Sequence, residues 1–429
     1  MKQLFIHNAQ LRGQEGLVTI VCQEGKITKI LPTGKGDDDA SAQVIDAAGN
    51  LVVPPFVDPH VHLDAVLSAG NLSRPNKSGT LLEAIDIWGE RKPFLTKEVL
   101  KENALEVVKW YIANGVLHVR THADCSDPTL LTVESLIEVR DEVRDLIDIQ
   151  IVAFPQDGIF TKPDGLDLMR RALELGVDVV GGAPHIEYTR EDGVKDVETV
   201  YQLAEEFGKM IDIHIDETGD PQSRFIEVMA KENINRGWQG RAAASHTTAM
   251  HNYNNDYAFK LMGILKKAEM NMITNPFDNS VLQNRTDGYP RKRGHTRVDE
   301  LLAKGVNVCI GHDSIMDPWY SMGKGNMIAA ANLLAHTAHM NGHDQITQLM
   351  DMITTRSAIT MGIQDTYGLE EGKPANLVIL DAKSDAEAVR LTSECLYVIR
   401  NGNIISKTEP AKRTLFINQT SEVVDFKLK

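Results

Sequence analysis

Residues 51–62 have the sequence LVVPPFVDPHVH, an apolar run that ends in two histidines one residue apart. The run predicts a buried strand over residues 51–58 that leads into a site. Side chains two positions apart on a strand point to the same face, so His60 and His62 are placed to bind one cation together. Neutral imidazole is a common ligand of transition metals near neutral pH. The motif therefore predicts part of a metal site.

Three further apolar runs also end in ligand-type residues. They are MIDIHIDE at 210–217 with His214, RAAASHTT at 241–248 with His246, and GVNVCIGHD at 305–313 with Asp313. In a (β/α)8 barrel the chemistry takes place where the strands end, on the C-terminal face. Four separate strands that end in His, His, His and Asp form the pattern that such a face requires.

The middle of the chain alternates between strand-like and helical patterns. Strands are expected near residues 51–58, 115–123, 148–155, 177–182, 210–215, 241–246, 271–275 and 306–311. Helical patterns between them include residues 97–113, 130–146, 164–175 and 197–207. Eight strands, most of them followed by a helix, predict an α/β protein with a TIM-type barrel. We expect this catalytic barrel to span residues 50–365.

The two chain ends have a different pattern. Residues 1–49 and 366–429 contain short β-branched runs separated by glycines, which is typical of hairpins. The pair Asn401-Gly402 is a strong signal for a two-residue hairpin turn. We therefore expect both ends to meet in one small β-sheet domain beside the barrel.

Composition and charge limit the possible partners. The 429 residues are 42% hydrophobic and 24% charged, which indicates a large packed core. A net charge of −15 argues against nucleic acid or an anionic membrane as a partner. No stretch approaches the ~18 apolar residues of a membrane span, the N-terminus has no signal-peptide pattern, and the four cysteines have no C-x-x-C spacing. We expect a cytoplasmic enzyme.

The ligand types indicate the chemistry. Three histidines and one aspartate suit one divalent transition metal ion, Zn²⁺ or Fe²⁺, and do not suit Mg²⁺. Such an ion with an open position lowers the pKa of bound water towards ~7. A general acid or base must then lie within hydrogen-bond reach of the substrate. Glu217, three residues after His214 at the mouth of its strand, is the candidate.

The chain resembles the bacterial cytosine deaminases of the amidohydrolase superfamily across nearly its whole length. The matching stretches are PHVHLD at 59–64, SGTL at 78–81, RTH at 120–122, IVAFPQ at 151–156, HIDE at 214–217, SHTTAMH at 245–251, GHD at 311–313 and DPWY at 317–320. The resemblance implies an amidohydrolase-type barrel and hydrolytic deamination of a cytosine-type pyrimidine base at C4, with release of ammonia. It also implies a homo-oligomer.

The resemblance also assigns roles to individual residues. A single metal ion, Fe²⁺ or Zn²⁺, is implied at His60, His62, His214 and Asp313. His246 and Asp313 are implied to handle the protons of the attacking water, and Glu217 to carry a proton to the ring nitrogen beside the attacked carbon. Gln156 and the backbone at Leu81 are implied to bind the ureido edge of the pyrimidine, and Trp319 to line the pocket. The fourth strand ends in Gly181-Gly182 without a lysine, so a binuclear site with a carboxylated lysine is not expected.

One position departs from the family pattern. Where the cytosine deaminases have a second aspartate after the metal ligand, this chain has Ser314. Serine is smaller and neutral, so it frees space near C4 and C5 and removes a charge there. We therefore expect 5-methylcytosine, which yields thymine, to be a better substrate than cytosine.

Three alternative functions remain open from the sequence. One is a plain cytosine deaminase, and another is a deaminase of a related cyclic amidine such as isoguanine or creatinine. A third, a catalytically inactive scaffold, is disfavoured because the metal ligands, His246 and Glu217 are all present.

Overall fold

The structure, a computed structural model, describes residues 3–33 and 42–428. In chain order its strands are β1 (Leu4–Leu11), β2 (Leu17–Gln23), β3 (Lys26–Pro32), β4 (Gln43–Asp46), β5 (Leu51–Val53), β6 (Phe56–Val61), β7 (Val116–Asp124), β8 (Asp148–Phe154), β9 (Val179–Val180), β10 (Met210–Ile215), β11 (Ala242–His246), β12 (Asn271–Thr274), β13 (Asn307–Ile310), β14 (Leu377–Leu380), β15 (Cys395–Arg400), β16 (Asn403–Lys407), β17 (Arg413–Ile417) and β18 (Thr420–Val424).

The helices, numbered in the same way, surround the strands. They are α1 (Leu81–Arg91), α2 (Lys97–Ala113), α3 (Leu131–Val143), α4 (Gly165–Glu174), α5 (Arg190–Phe207), α6 (Phe225–Asn235), α7 (Asn255–Lys267), α8 (Pro276–Leu282), α9 (Val298–Ala303), α10 (Met327–Thr337), α11 (His343–Met352), α12 (Thr355–Thr360) and α13 (Asp385–Leu391). None of the helices in the described part of the chain is both long and apolar enough to cross a membrane.

Strands β6 to β13 form one parallel eight-stranded sheet in chain order. A parallel bridge between Val61 and Asp313 joins the first strand to the segment that follows the last one. There the backbone N–H of Asp313 donates to the carbonyl of His60 at 2.8 Å, and that of His62 donates to the carbonyl of Asp313 at 3.1 Å. The predicted barrel is confirmed, and the contact that closes it also brings predicted ligands from its two ends together.

Helix α2 illustrates how the outer layer forms. It begins after Thr96, whose side chain accepts a hydrogen bond from the backbone N–H of Val99, a favourable N-cap. Its buried residues recur every three or four positions and pack on the barrel core. At its end, the hydroxyl of Tyr111 donates to Asp58 at 2.6 Å, and Asp58 in turn accepts from the backbone N–H groups of His60 and His312. The helix layer thus fixes the backbone beside the predicted ligands.

The chain ends meet in a second sheet, in the order β16-β15-β14-β5-β1-β2-β3, with β4 paired to β1. The predicted turn between β15 and β16 is present, with φ of 48° at Asn401 and 74° at Gly402, the left-handed conformation that such turns need. The small sheet of both ends is therefore confirmed. The domain boundaries at residues 49/50 and 365/366 stay a prediction, and residues 1–2, 34–41 and 429 of the terminal segments lie outside the described residues.

The expectation of one strand over residues 51–58 was wrong. The structure has two strands there, and Leu51–Val53 pairs with β1 and β14 in the sheet of the chain ends. Only Phe56–Val61 pairs with β7 in the barrel. The prolines at 54 and 55 separate the two, because proline has no N–H to donate to a neighbouring strand.

Candidate metal centre and active site

Four predicted ligand side chains lie together at the C-terminal end of the barrel. His60 is in β6, His62 follows that strand, His214 is in β10, and Asp313 follows β13. All four are buried, with at most 8% of their surface exposed. The Nε2 atoms of His62 and His214 are 3.2 Å apart, and the Nε2 atoms of His60 and His62 each lie 3.5 Å from Oδ1 of Asp313.

These distances are short enough for the donor atoms to bind one metal ion. Ligand atoms at about 2.0–2.2 Å from the same ion lie roughly 3–4 Å from one another. The Nε2 atom of His60 is buried and has no hydrogen-bond partner, as expected for an atom reserved for a metal. The donor set therefore fits a single divalent ion, with imidazole and carboxylate ligands.

His122 also reaches this centre. Its ring centroid is 4.1 Å from that of His60, and its Nε2 lies 3.7 Å from Oδ1 of Asp212. Ligand-type atoms of His60, His62 and His122 lie within 4.8 Å of one another, as do those of His60, His214 and His246. The set that contains Asp313 is favoured because its donor atoms lie 3.2–3.5 Å apart and because a carboxylate balances the charge of a cation.

A chain of hydrogen bonds orients the His60 ring. Its Nδ1 lies 3.0 Å from the hydroxyl of Ser245, which donates to Asp212 at 2.7 Å. Asp212 is in turn 3.0 Å from the guanidinium of Arg120, and both are fully buried. Because the Ser245 hydroxyl donates its own hydrogen bond to Asp212, it acts as the acceptor for the N–H group at Nδ1 of His60. This leaves Nε2 free to bind a metal.

Replacing Ser245 by alanine is expected to weaken metal binding about 10–100-fold, because the ring of His60 loses the partner that fixes its tautomer. Competition with a chelator measures the metal affinity. Ser135→Ala is the matched control, since Ser135 is a buried serine on α3 that donates to the carbonyl of Leu131 away from the centre. Equal metal affinity in the two variants would contradict this role of Ser245.

Two of the site residues have a strained backbone. His246 has φ of 69° and Asp313 has φ of 71°. Residues other than glycine rarely adopt this left-handed region, and when they do, they are often part of a functional site. His246 is the last residue of β11, and Asp313 lies three residues after the end of β13, so both are at the C-terminal ends of barrel strands.

Burial determines the protonation of the histidines. It lowers the pKa of His60, His62 and His214 well below the ordinary value, and the neighbouring His122 lowers all three further. The rings are therefore neutral, the form that binds a metal. Burial, together with the nearby carboxylates, raises the pKa of Asp313 well above its usual range. A divalent cation is the charge that offsets this repulsion.

Glu217 lies beside the predicted ligands and is also buried. Burial raises its pKa to about 8, partly opposed by a hydrogen bond of 3.1 Å from the side-chain amide of Gln283. At neutral pH it therefore holds a proton more readily than an exposed glutamate does. A group with a pKa near the working pH both takes up and releases protons readily, which suits a proton shuttle.

His246 lies between Asp313 and Glu217. Its Nε2 is 3.8 Å from Oδ2 of Asp313, and its Nδ1 is 3.6 Å from Oε1 of Glu217. The side-chain amide of Asn279 is 3.0 Å from Nδ1, and that of Asn275 is 3.2 Å from Nε2. Neither asparagine was predicted from the sequence, although Asn275 ends the predicted strand 271–275 and Asn279 lies four residues later.

The predicted substrate residues all line one pocket in front of the ligands. The lining residues are His62, Leu81, Phe154, Gln156, His214, Glu217, His246, Asp278, Leu282, Asp313, Ser314 and Trp319. Leu81 is the first residue of α1, where backbone N–H groups have no partner inside the helix. The ring of Trp319 stacks against that of His62 with 6.3 Å between centroids. The pocket lining thus combines an aromatic ring, that of Trp319, with polar side chains such as Gln156 and Glu217.

Asp278 is the lining residue that changes the interpretation of position 314. It is 2% exposed on α8, and its Oδ2 accepts a hydrogen bond of 2.7 Å from the hydroxyl of Ser314. From the sequence, serine in place of aspartate was expected to free space and to remove a charge there, which stays a prediction. The structure adds that the neighbouring helix places a carboxyl group beside Ser314.

The chain belongs to the amidohydrolase family, whose pattern it matches over residues 43–406. It is similar to 5-methylcytosine deaminase from Klebsiella pneumoniae, whose crystal structure is liganded with phosphonocytosine. The two chains are 46% identical in sequence. Their superposition has a TM-score of 0.92 and covers 96% of this chain and 99% of the other. The family predicted from the motifs is confirmed.

Two other relatives are similar in sequence. N-isopropylammelide isopropyl amidohydrolase from Pseudomonas sp. strain ADP is 31% identical over 411 residues, which cover 95% of this chain and 98% of that protein. Pterin deaminase from Rhizobium rhizogenes is 27% identical over 409 residues, 94% of this chain and 91% of that protein. By their names the three relatives are one amidohydrolase and two deaminases, each with a different substrate.

Proposed function

We propose that this protein is a metal-dependent aminohydrolase that removes the amino group from C4 of a cytosine-type pyrimidine base and releases ammonia. The observation that carries the proposal is the pocket itself. It combines a four-atom metal-binding set, a buried acid with a raised pKa and an aromatic wall. The 46% identity to a 5-methylcytosine deaminase, over 96% of the chain, supports a pyrimidine as the ring.

The metal is proposed to be Fe²⁺ or Zn²⁺, held by His60, His62, His214 and Asp313. When bound, such an ion acidifies a water molecule so that it attacks carbon at neutral pH. Both candidates accept imidazole and carboxylate ligands, so the choice between them depends on supply and geometry. Elemental analysis of protein purified without added metal distinguishes them.

The side chains of the pocket are proposed to move the protons. His246 and Asp313 accept the proton that the attacking water loses, which their distance of 3.8 Å allows. Glu217 delivers a proton to N3 as C4 becomes tetrahedral. The proton held by His246 and Asp313 then passes to the amine, the C4–N bond breaks and ammonia leaves. The C4 hydroxyl returns its proton to Glu217 as it becomes the carbonyl of the product. One water is consumed and one ammonia is released, so the reaction is balanced without a redox partner.

The remaining lining groups are proposed to hold the ring. The side-chain amide of Gln156 and the backbone at Leu81 bind the ureido edge of the ring. Trp319 covers one face of the ring. In this arrangement C4 faces the metal centre and N3 faces Glu217.

We also propose that the protein is a homo-oligomer and that it acts in the cytoplasm. Analytical sedimentation tests the oligomeric state, and cell fractionation tests the location.

Ammonia release from a panel of rings tests the proposed function. The panel contains cytosine, 5-methylcytosine, isoguanine, creatinine, pterin and N-isopropylammelide. We expect turnover of the two pyrimidines and at least ~10-fold lower kcat/KM for the others, because a pocket built to hydrogen-bond one ring edge leaves buried polar groups unpaired with another. The proposal is wrong if another ring is hydrolysed efficiently and neither pyrimidine is.

The preference for 5-methylcytosine is a separate prediction. Ser314 lines the pocket and carries only a hydroxyl, so we expect room for a methyl group on C5. A methyl group in apolar contact contributes about 1–3 kcal/mol, or roughly 10–200-fold in kcat/KM. We expect kcat/KM for 5-methylcytosine to exceed that for cytosine by about tenfold or more, and steady-state kinetics with both bases measures it.

Position 314 is tested by substitution. Ser314→Asp is expected to shift the preference back towards cytosine, but it places a second carboxyl group against Asp278. Because two adjacent carboxylates repel each other, the double variant Ser314→Asp with Asp278→Asn tests the same idea without that repulsion. Asp278→Asn alone is the control. A wild-type preference for cytosine, or an unchanged ratio in both aspartate variants, would contradict the prediction.

A further inference from the structure

The two oxygens of Asp278 have different surroundings. Oδ2 accepts the hydrogen bond from Ser314, whereas Oδ1 is buried and has no hydrogen-bond partner among the described residues. Buried polar atoms in folded proteins are almost always paired, and an unpaired one in a pocket indicates a partner that the ligand supplies. Since Asp278 lines the pocket, its free oxygen is placed to bind substrate.

The position of Asp278 relates it to one part of the ring. Its Oδ2 lies 2.7 Å from the hydroxyl of Ser314, the residue after a predicted metal ligand. Burial, and then the nearby carboxyl group of Asp317, raise the pKa of Asp278. Asp278 lines the pocket together with Asp313 and Glu217, which the proposed function places beside C4 and N3. Asp278 therefore faces the side of the pocket where C4 and its substituents lie.

The chemistry of the ring then selects the contact. On the reacting edge of a cytosine-type base, N3 is an acceptor and C5 carries hydrogen or methyl, so the amino group on C4 is the available N–H donor. We propose that Asp278 is a substrate-positioning residue whose Oδ1 accepts a hydrogen bond from this amino group while its Oδ2 holds the hydroxyl of Ser314. This inference rests on the proposed function and adds a specificity determinant to it.

The contact distinguishes substrate from product. Deamination replaces the amino donor at C4 by a carbonyl oxygen, which is an acceptor. Two acceptors that face each other gain no hydrogen bond, so thymine or uracil binds less well than the amine. Asp278 thus raises the affinity for the amino-substituted substrate relative to the affinity for the product.

Binding measured without turnover tests this contact. In a Glu217→Gln background, calorimetry compares 5-methylcytosine with 5-methylpyrimidin-2-one, which has hydrogen in place of the amino group. Adding Asp278→Ala is expected to weaken binding of 5-methylcytosine by about tenfold, the upper range for one ordinary hydrogen bond. Binding of the ring without the amino group is expected to change less than about threefold, since it makes no such bond.

Two further variants separate a specific contact from a structural effect. Ser280→Ala is the matched control, because Ser280 lies on the same helix and donates to the carbonyl of Phe277 outside the pocket. Asp278→Asn keeps the volume of the side chain and adds an amide donor, which pairs with the carbonyl of thymine. The ratio of 5-methylcytosine affinity to thymine affinity is therefore expected to fall by about tenfold or more in this variant.

The outcomes distinguish the two hypotheses. Equal weakening for both rings in Asp278→Ala, or no weakening for either, would overturn the role of Asp278. An unchanged affinity ratio in Asp278→Asn would overturn it as well. Failure of the proposed function is a different result, namely that the wild-type protein releases no ammonia from either pyrimidine.

Discussion

Replacing Glu217 by glutamine is expected to lower the turnover number by at least ~10²-fold while the metal content stays the same. Glutamine keeps the size of the side chain and its hydrogen bond to Gln283, but its amide neither releases nor takes up a proton near neutral pH. The pKa of about 8 at Glu217 is what allows the wild-type residue to do both near neutral pH. Steady-state kinetics and elemental analysis measure the two quantities on the same preparation.

A second pocket variant and a control variant accompany this measurement. His246→Asn is expected to reduce turnover similarly, because it removes the ring between Asp313 and Glu217. Glu227→Gln is the matched control, since Glu227 is a glutamate on α6 that accepts a hydrogen bond from Tyr257 and does not line the pocket. Near-normal turnover in Glu217→Gln would remove that residue from the mechanism.

Removal of the metal is expected to have a comparable or larger effect. We expect one divalent ion per chain, and rigorous chelation is expected to lower turnover by at least ~10³-fold, because a metal ion contributes several kcal/mol of transition-state stabilisation. Asp313→Ala is expected to lose both the ion and the activity, since Oδ1 of Asp313 lies 3.5 Å from two of the ligand nitrogens. Adding Zn²⁺ or Fe²⁺ back restores the chelated wild type and leaves the variant inactive.

Elemental analysis decides this prediction. Two ions per chain would contradict the single site that the distances among His60, His62, His214 and Asp313 indicate. Full activity after rigorous chelation would contradict metal dependence altogether. The Ser245→Ala variant links the two results, because it is expected to lower metal affinity without removing a ligand.

Much of the fold was predictable because strands and helices have local periods. The run at 210–215 and the helix over 97–113 appear in the structure with the same bounds. The turn at Asn401-Gly402 was predictable for a similar reason, since its left-handed backbone favours these two residue types. The division of the stretch 51–58 was missed, because an apolar run does not specify which of two sheets its strand joins.

Most of the candidate site residues were also predictable from the sequence. Histidine, aspartate and glutamate at the ends of apolar runs have few structural uses, so their placement alone indicated a metal centre. Asp278, Asn275 and Asn279 were missed because their roles depend on neighbours that lie elsewhere in the chain. Asp278 meets Ser314 across 36 positions, and the asparagines meet His246 across 29 and 33.

By itself the sequence determined which candidate side chains end the barrel strands and on which kind of element each lies, because backbone periodicity and residue type are local properties. Only the tertiary structure decided which of them share one centre. The bridge between Val61 and Asp313 closes the barrel across some 250 positions and sets the 3.5 Å distances from Asp313 to His60 and His62. Such distances follow from strand register and barrel closure, which no local pattern specifies.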